Sequence, residues 1–417
     1  MSFEEVSEWI ADHQEAMVEL QRELTARPAL GPENGGAGEW EKARFLEDHL
    51  RRHGFETAEH FDCPDPRVPE GTRPNFLVTL PGKQDEPRAW VLTHLDVVPP
   101  GEKDADGSWR GWDSDPFALR RVGDVLVGRG VSDDQQAVVS SIFAARALRE
   151  NGLTPAHTVK LLFVADEETG SNCGFLHILR AHAGIFSRED SILVPDWGEE
   201  DSSVIEVAEK SVLWLQFRVR GKQAHGSRPN LAVNTARAAA WLTYMLDEGL
   251  KAGFNRVDHL YDVPRSTFEP TMHQANVANV NTIPGEDVFC FDCRVLPQYG
   301  LDSVLAFANA QCRRADGLHG TTTEVSVRNR QDAPPPTPPD SAAVRKLKAA
   351  IQRVYAVEPR TTGSGGMTLA SPLRERGLPA AVWMTCNQTG HQVNETCHIA
   401  HMVGDARVFA HVYLDES

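Results

Sequence analysis

The chain has 417 residues, 41% of them hydrophobic, and a formal charge of −17 at pH 7. That length favours two domains with sizeable cores over one simple core. The acidic balance argues against nucleic acid or an anionic membrane surface as the principal partner, because phosphates would repel it, and suits a cation better.

The first two dozen residues carry acids and a helical period through Val6, Ile10, Met17, Leu20 and Leu24. They lack the basic start and apolar middle of a signal peptide, and no later stretch has the apolar length of a membrane span. Seven cysteines, an odd number scattered along the chain, do not read as a disulfide framework. Cys290 and Cys293 form a lone CxxC inside the strand pattern "VFCFDCRV". These features predict a reduced, soluble, cytoplasmic protein.

A Gly/Pro-rich loop, "RPALGPENGGAGEW", leads to a second helix ending near "RRHGFE". From residue 75 short β-rich runs alternate with helices: "NFLVTL", "AWVLTHLD", "DVLVGRG", the helix "QQAVVSSIFAARALREN", "TVKLLFVADEE" and "SILVPDW". In that helix Val138, Ile142, Ala145 and Leu148 share a face, and Gly152 follows as a stop signal. The alternation predicts an α/β fold, a mainly parallel sheet flanked by helices.

The texture changes at "EKSVLWLQFRVRGKQAHGS", where Leu213, Leu215, Phe217 and Val219 alternate with polar neighbours, as in a strand with one wet face. A helix over about 231–250, the strands "ANVANVNTI" and "DVFCFDCRVL", a helix at "LDSVLAFANAQCRRA" and the strand "TTEVSVRN" follow. Strand–helix–strand–strand–helix–strand is a self-contained α+β, ferredoxin-like unit. After the Pro-rich "QDAPPPTPPDS", the helix "SAAVRKLKAAIQRVYA" and the strand "AAVWMTC" resume the earlier style. The expected organisation is a catalytic domain over 1–210 and 330–417, with an inserted domain over 211–329.

Side chains able to hold a metal concentrate where strands end. His94 and Asp96 close "VLTHLD", Asp133 and Asp134 stand before a helix in "GRGVSDDQQ", and Glu167 and Glu168 follow a strand in "VADEETG". Asp196 ends "ILVPDWG", and His391 lies in "TCNQTGHQVNE". Ligands of an open α/β sheet bind beyond the carboxyl ends of its strands, so five such exits predict one crevice. Histidine with aspartate and glutamate, and no cysteine, is a donor set for zinc or a similar divalent ion. Two ions sharing a carboxylate would absorb this many acids, which otherwise repel one another. Adjacent Glu167 and Glu168 cannot serve one ion in the same way, which leaves one as ligand and the other as base.

The chain resembles the two-zinc peptidase and deacylase family that contains carboxypeptidase G, succinyl-diaminopimelate desuccinylase, acetylornithine deacetylase, aminoacylase and the carnosine-type dipeptidases. The resemblance runs through "HLDVVP", "W…DPF", "GRGVSDDQQ", "ADEETGS", "AHGSRP", "NTIPG" and "GHQVNE" in that order. It implies two divalent ions, zinc foremost, with cobalt or manganese as alternatives. By resemblance His94 ligates one ion and Asp96 orients it, Asp133 bridges, and Asp196 completes the first ion's set. Glu168 and His391 complete the second, and Glu167 is the general base. His225 in "KQAHGSRP" would reach the partner subunit's site and polarise the scissile carbonyl. Arg294 would clamp a substrate carboxylate, Asn281 would be a further substrate contact, and the inserted domain would serve as lid and homodimer interface.

Many relatives have Lys-Gly where this chain has Gln135-Gln136, so the helix entry and nearby substrate contacts are expected to differ. Asp134 and Asp166 read as structural, capping or solvent-facing. The segment "TGSGGMTLA" lacks the lysine of a phosphate loop and by resemblance lines the substrate. Three functions compete for a small-molecule substrate, with neither nucleic acid nor membrane involved. The first is removal of an acyl or succinyl group from an amino acid. The second is a dipeptidase or carboxypeptidase, towards which Asp196 in place of glutamate leans. The third is an inactive metal-binding scaffold, against which Glu167 weighs, since holding metal requires no base.

Overall fold

The computed structural model describes residues 2–55 and 59–415. The chain forms two compact units: Met1–Val207 with Pro336–Thr361 and Thr368–Ser417, and Ala208–Pro335 with Thr362–Met367. Along the chain the principal strands are β1 (Glu59–His60), β2 (Phe76–Leu80), β3 (Gln84–His94), β4 (His157–Val164), β5 (Ser191–Val194) and β6 (Val204–Glu209). Then come β7 (Ser211–Arg220), β8 (Thr267–His273), β9 (Glu286–Val295), β10 (Thr322–Gln331), β11 (Arg360–Ser364) and β12 (Ala380–Val382).

The larger sheet runs β1–β2–β4–β3–β5–β12–β6–β11. Its centre, β4–β3–β5–β12, is parallel, and β2 and β6 border it antiparallel. Central strands are largely apolar because both faces are covered: Ala89 to His94 of β3 are all buried. One face packs against Phe175, Ile178, Leu179, Leu369 and Leu373 from two short helices. The helix Gln135–Glu150 contacts β3 and β4, and also the helices Ile399–Leu414 and Gln14–Thr25. It is therefore enclosed, with Val139, Phe143 and Ala144 as buried as the face carried by Val138 and Ile142. Parallel register aligns His94 with Val164 and Leu193 with Ala381, so the carboxyl ends of β3, β4, β5 and β12 share one edge.

The second unit has the antiparallel order β8–β9–β7–β10. Leu213, Leu215, Phe217 and Val219 of β7 face the helices Thr235–Gly253 and Leu301–His319, which gives the expected α+β unit. One expected strand is displaced. Of "ANVANVNTI" only Thr282–Ile283 enters a ladder, with Ala224–His225, and the edge strand β8 lies upstream. Asn276 donates its side-chain amide to the Asp287 carboxylate on β9 at 2.6 Å, a side-chain bond in place of a backbone ladder. Pro270 is tolerated in β8 because an edge strand has one unpaired side.

Segment 362–367 groups with the second unit rather than with the last section of the first. There Lys210 and Asp262 donate backbone N–H groups to the Ser364 and Gly363 carbonyls, at 3.1 and 3.0 Å. Cys290 and Cys293 have opposite environments on β9, half-buried and buried, and all seven cysteines are free thiols. Among the described residues no helix is long and apolar enough to cross a membrane.

Candidate metal and catalytic centre

His94 closes β3, and its place is over-determined. Its backbone N–H donates to Asp134 Oδ2 at 3.0 Å, and its Nδ1 faces the Asp96 carbonyl oxygen at 3.0 Å. Nε2 is thereby aimed at Asp133 Oδ1, 2.9 Å away, and at Asp196 Oδ1, 3.7 Å away. On the far side His391 Nε2 lies 3.2 Å from Asp133 Oδ2 and 3.0 Å from Glu168 Oε2. Asp133 thus offers one oxygen to each histidine, the disposition a bridging carboxylate needs. One ligand atom each from His94, Glu167 and Asp196 lie within 4.8 Å of one another, as do those from His94, Asp133 and Glu168.

All of these residues belong to the first unit, and the structure brings together His94, Asp133, Glu167, Glu168, Asp196 and His391. The expected five strand exits become four. Asp133 stands one residue before the N-cap Asp134 of the helix Gln135–Glu150. Gly390 makes room for it, since a Cβ there would meet Asp133 Oδ2 at 3.2 Å.

Two buried carboxylates shape the loops from behind. Asp96 accepts the consecutive backbone N–H groups of Glu167 and Glu168, each at 3.0 Å, and so holds both glutamates by their main chain. Glu395, fully buried, does the same for the Asp133 loop. Its Oε1 accepts from the Ser132 and Asp133 amides at 2.9 and 3.0 Å, and its Oε2 from Gly130 N at 2.9 Å and Arg129 Nη1 at 2.7 Å. The motif "GHQVNE" contains Glu395, for which the sequence suggested no role; the signal was an acid one residue before the short, half-buried strand Thr396–His398. Glu395→Ala leaves Arg129 buried and unpaired, a cost of about 3–5 kcal/mol. It should also weaken metal binding by roughly 10–100-fold, the usual effect of losing a group that orients a ligand. Glu395→Gln, which keeps the volume and one acceptor, should lose less on both counts. Equal metal affinity in all three proteins, measured by chelator competition, would remove Glu395 from the site.

Asp134 and Asp166 are structural as expected, yet buried rather than solvent-facing. Asp166 holds a left-handed turn at φ 64° and accepts from the Thr169 hydroxyl and from Cys173 N at 2.7 Å. Gln135 and Gln136 turn inward: the first accepts from the Thr25 hydroxyl at 2.9 Å, and the second donates to the Thr385 carbonyl and Asp405, both at 2.7 Å. The glutamine pair is therefore absorbed by the core.

Electrostatically the centre is short of positive charge. Burial, reinforced by Asp196, pushes the Glu167 carboxyl well above the usual range; burial and Asp133 push Glu168 to about 7, and burial raises Asp196. Asp133 moves the other way, because hydrogen bonds from His391 and His94 outweigh its burial. His391 is pushed up to about 10 by Asp133 and Glu168. The glutamates differ in partner: Glu168 pairs with His391, whereas the Glu167 carboxylate has no hydrogen bond among the described residues.

The other candidates lie on the second unit. His225 is exposed, and its Nδ1 accepts from Ser227 N at 3.1 Å, which leaves Nε2–H as an outward donor in the neutral ring. Gly226 N donates to the Asn281 carbonyl at 2.6 Å, so the His225 and Asn281 segments adjoin. Arg294 is already engaged, by Asp292 through Nε at 2.7 Å and Nη2 at 3.0 Å, and by the Gly365 carbonyl at 2.8 Å.

The family model described as peptidase family M20/M25/M40 matches residues 90–415. An uncharacterized metallohydrolase of Methanococcus maripaludis is 33% identical over 95% of this chain and 97% of its own length. Succinyl-diaminopimelate desuccinylase 2 of Shewanella loihica is 26% identical over 93% of this chain and 97% of its own. Among solved structures, human carnosine dipeptidase 1 superposes with a TM-score of 0.80 at 17% identity, covering 100% of this chain and 98% of that one. The dipeptidase Dug1p of Saccharomyces cerevisiae gives 0.76 at 17% identity, covering 100% and 99%. At such identities these two likenesses establish the fold.

Proposed function

Because the chain belongs to peptidase family M20/M25/M40, and is thus a metallohydrolase acting on amide bonds, we propose that it cleaves an N-acyl amino acid or small peptide with Glu167 as general base. The observation that carries this reading is the convergence of six His, Asp and Glu side chains on one sheet edge. The donor set suits divalent cations: imidazole nitrogens and carboxylate oxygens without sulfur, around an acid bearing on two histidines. His94, Asp133 and Asp196 would hold one ion, and Asp133, Glu168 and His391 the other, zinc being the first choice with cobalt or manganese as alternatives. When bound, such ions lower the pKa of water and polarise a carbonyl.

The remaining work falls to the chain. Asp96 fixes the His94 ring and the backbone of Glu167. Glu167, raised in pKa and free of a competing partner, takes a proton from the attacking water and returns it to the leaving amine. His225 Nε2–H is the donor we assign to the developing oxyanion, and Asn281 and Arg294 contact the substrate. The enzyme class sets the scaffold reading aside. A desuccinylase-type deacylase and a dipeptidase use the same parts, and aspartate at position 196 favours the second. We also propose a homodimer formed through the second unit; the seven free thiols suit a reducing, cytoplasmic setting.

Metal-loaded protein should release amine from members of a panel of N-acetyl and N-succinyl amino acids and dipeptides. Silence across the panel with metal bound would overturn the reading. His225→Ala should depress kcat with fold and metal content intact, since the oxyanion exists only in the transition state. Arg294→Ala should chiefly raise KM for substrates with a free carboxylate, modestly because Asp292 already shares the guanidinium. Mixing inactive His225→Ala and Glu167→Ala proteins should restore up to about half the activity per mixed dimer if His225 serves its partner's site; no recovery after subunit exchange would confine it to its own chain.

A further inference from the structure

Beside Asp133, Asp196 and His391 the first unit opens into a cavity of about 210 Å³. Its other walls include Trp197, Met384 and Cys386, with Gln388 at the exposed rim. This wall is built from two backbone segments locked together. Trp383 N donates to the Val194 carbonyl at 3.2 Å and Met384 N to the Trp197 carbonyl at 3.1 Å, which prolongs the pairing of β5 with β12. Cys386 Sγ and the Gln388 amide both donate to the Gly198 carbonyl, at 3.3 and 3.2 Å. A Cβ on Gly198 would lie 1.8 Å from the Met384 carbonyl oxygen, so only glycine lets the two segments run this close. Behind the wall Trp197 packs against the buried cluster that includes Leu369 and Leu373.

The chemistry of the cavity is one-sided. Its acids and its histidine are those assigned to the metals, and among the described residues no lysine or arginine lines it. Burial pushes the Cys386 thiol up to about 12, so the thiol lines the wall in neutral form. A terminal carboxylate turned away from the ions, towards Trp197, Met384 and Cys386, would meet no lysine or arginine and would surrender its hydration. An alkyl or aromatic group would gain by burial against the indole and the adaptable methionine. The volume, part of which the ions would take, lies below the ~300–1,000 Å³ of sites that engulf a drug-sized ligand; the remainder suits one substituent.

We infer that this cavity is a preformed subsite for an uncharged apolar group flanking the scissile amide, which makes apolar N-acyl or dipeptide substrates preferred over succinylated ones. The inference rests on the amide-hydrolase reading above and adds the substrate class. In hydrolysis, hexanoyl and butyryl derivatives of one amino acid should exceed its succinyl derivative in kcat/KM by at least about tenfold, because even a missing methylene costs that much in an apolar pocket and a buried, unpaired carboxylate costs more. Metal content must be unchanged throughout. A binding arm separates the two ideas: hexanoate should bind the metal-loaded protein at least about tenfold more tightly than succinate, read by tryptophan fluorescence.

Met384→Arg should reverse both preferences. Should that variant fail to fold, Gln388→Arg at the rim makes the same change of charge. If no substrate is hydrolysed yet hexanoate still outcompetes succinate, the subsite stands and the hydrolase reading falls. If hydrolysis proceeds with succinyl and apolar substrates equal, or if neither arginine variant shifts the preference, the subsite is overturned.

Discussion

Glu167→Ala is expected to keep its metal and lose about 10²–10⁴-fold in turnover, the contribution of a well-placed general base; this corresponds to roughly 3–5 kcal/mol of transition-state stabilisation. Glu168→Ala, one residue along, is expected to lose metal. The two glutamates start from the same constraint, since Asp96 holds both backbone amides at 3.0 Å. Their side chains then part: Glu168 meets His391, while Glu167 stands near His94 and Asp196 without a hydrogen bond of its own among the described residues. Proximity alone would also let Glu167 ligate with those two. Metal per chain beside kcat for each variant therefore decides the matter. Metal loss in Glu167→Ala equal to that in Glu168→Ala would make both residues ligands and leave the base unassigned.

How much of this was legible beforehand depended on the range of the forces involved. The βα alternation and the second unit's strand–helix order follow from local hydrophobic period, and they appear in the structure as β3 to β5 and β7 to β10. The donor residues were legible because strand ends and a helix start are local features too. Less legible was what only three-dimensional packing decides. The edge strand lies at Thr267–His273, and in "ANVANVNTI" Asn276 bonds to Asp287, a residue of the neighbouring strand, through its side chain rather than through a backbone ladder. Gln135 and Gln136 raised only the expectation of a different helix entry and different substrate contacts nearby; their partners, Thr25 and Asp405, are 110 and 269 positions away in the chain. The role of Glu395 stayed hidden for the same reason: it receives four donors from residues 129–133, more than 260 positions earlier. Buried carboxylates that accept backbone amides leave no periodic trace in a sequence.

Asp133→Ala is expected to reduce two bound ions to one or none and to abolish activity with them. Its two oxygens face different histidines, Oδ1 towards His94 and Oδ2 towards His391, so its loss removes the only carboxylate seen to contact both rings among the described residues. The wild-type protein should take up two ions per chain, and at a hundredfold excess over Kd each would add about 2.7 kcal/mol of stability, a rise in Tm of several degrees. Uptake should also release protons. In the metal-free state His391 titrates near 10 and Glu168 near 7, so at pH 7 His391 is protonated and Glu168 partly so. Ligation requires both to be deprotonated. Affinity must therefore fall as pH is lowered, and calorimetry in buffers of different ionisation enthalpy should count more than one proton released per two ions. Asp133→Ala should lose much of that release together with the Tm shift, because His391 there loses one of its two ion-paired carboxylates and has no bridged ion to bind. A wild-type protein that saturates at one ion, or an Asp133→Ala protein that still holds two, would refute the bridged pair.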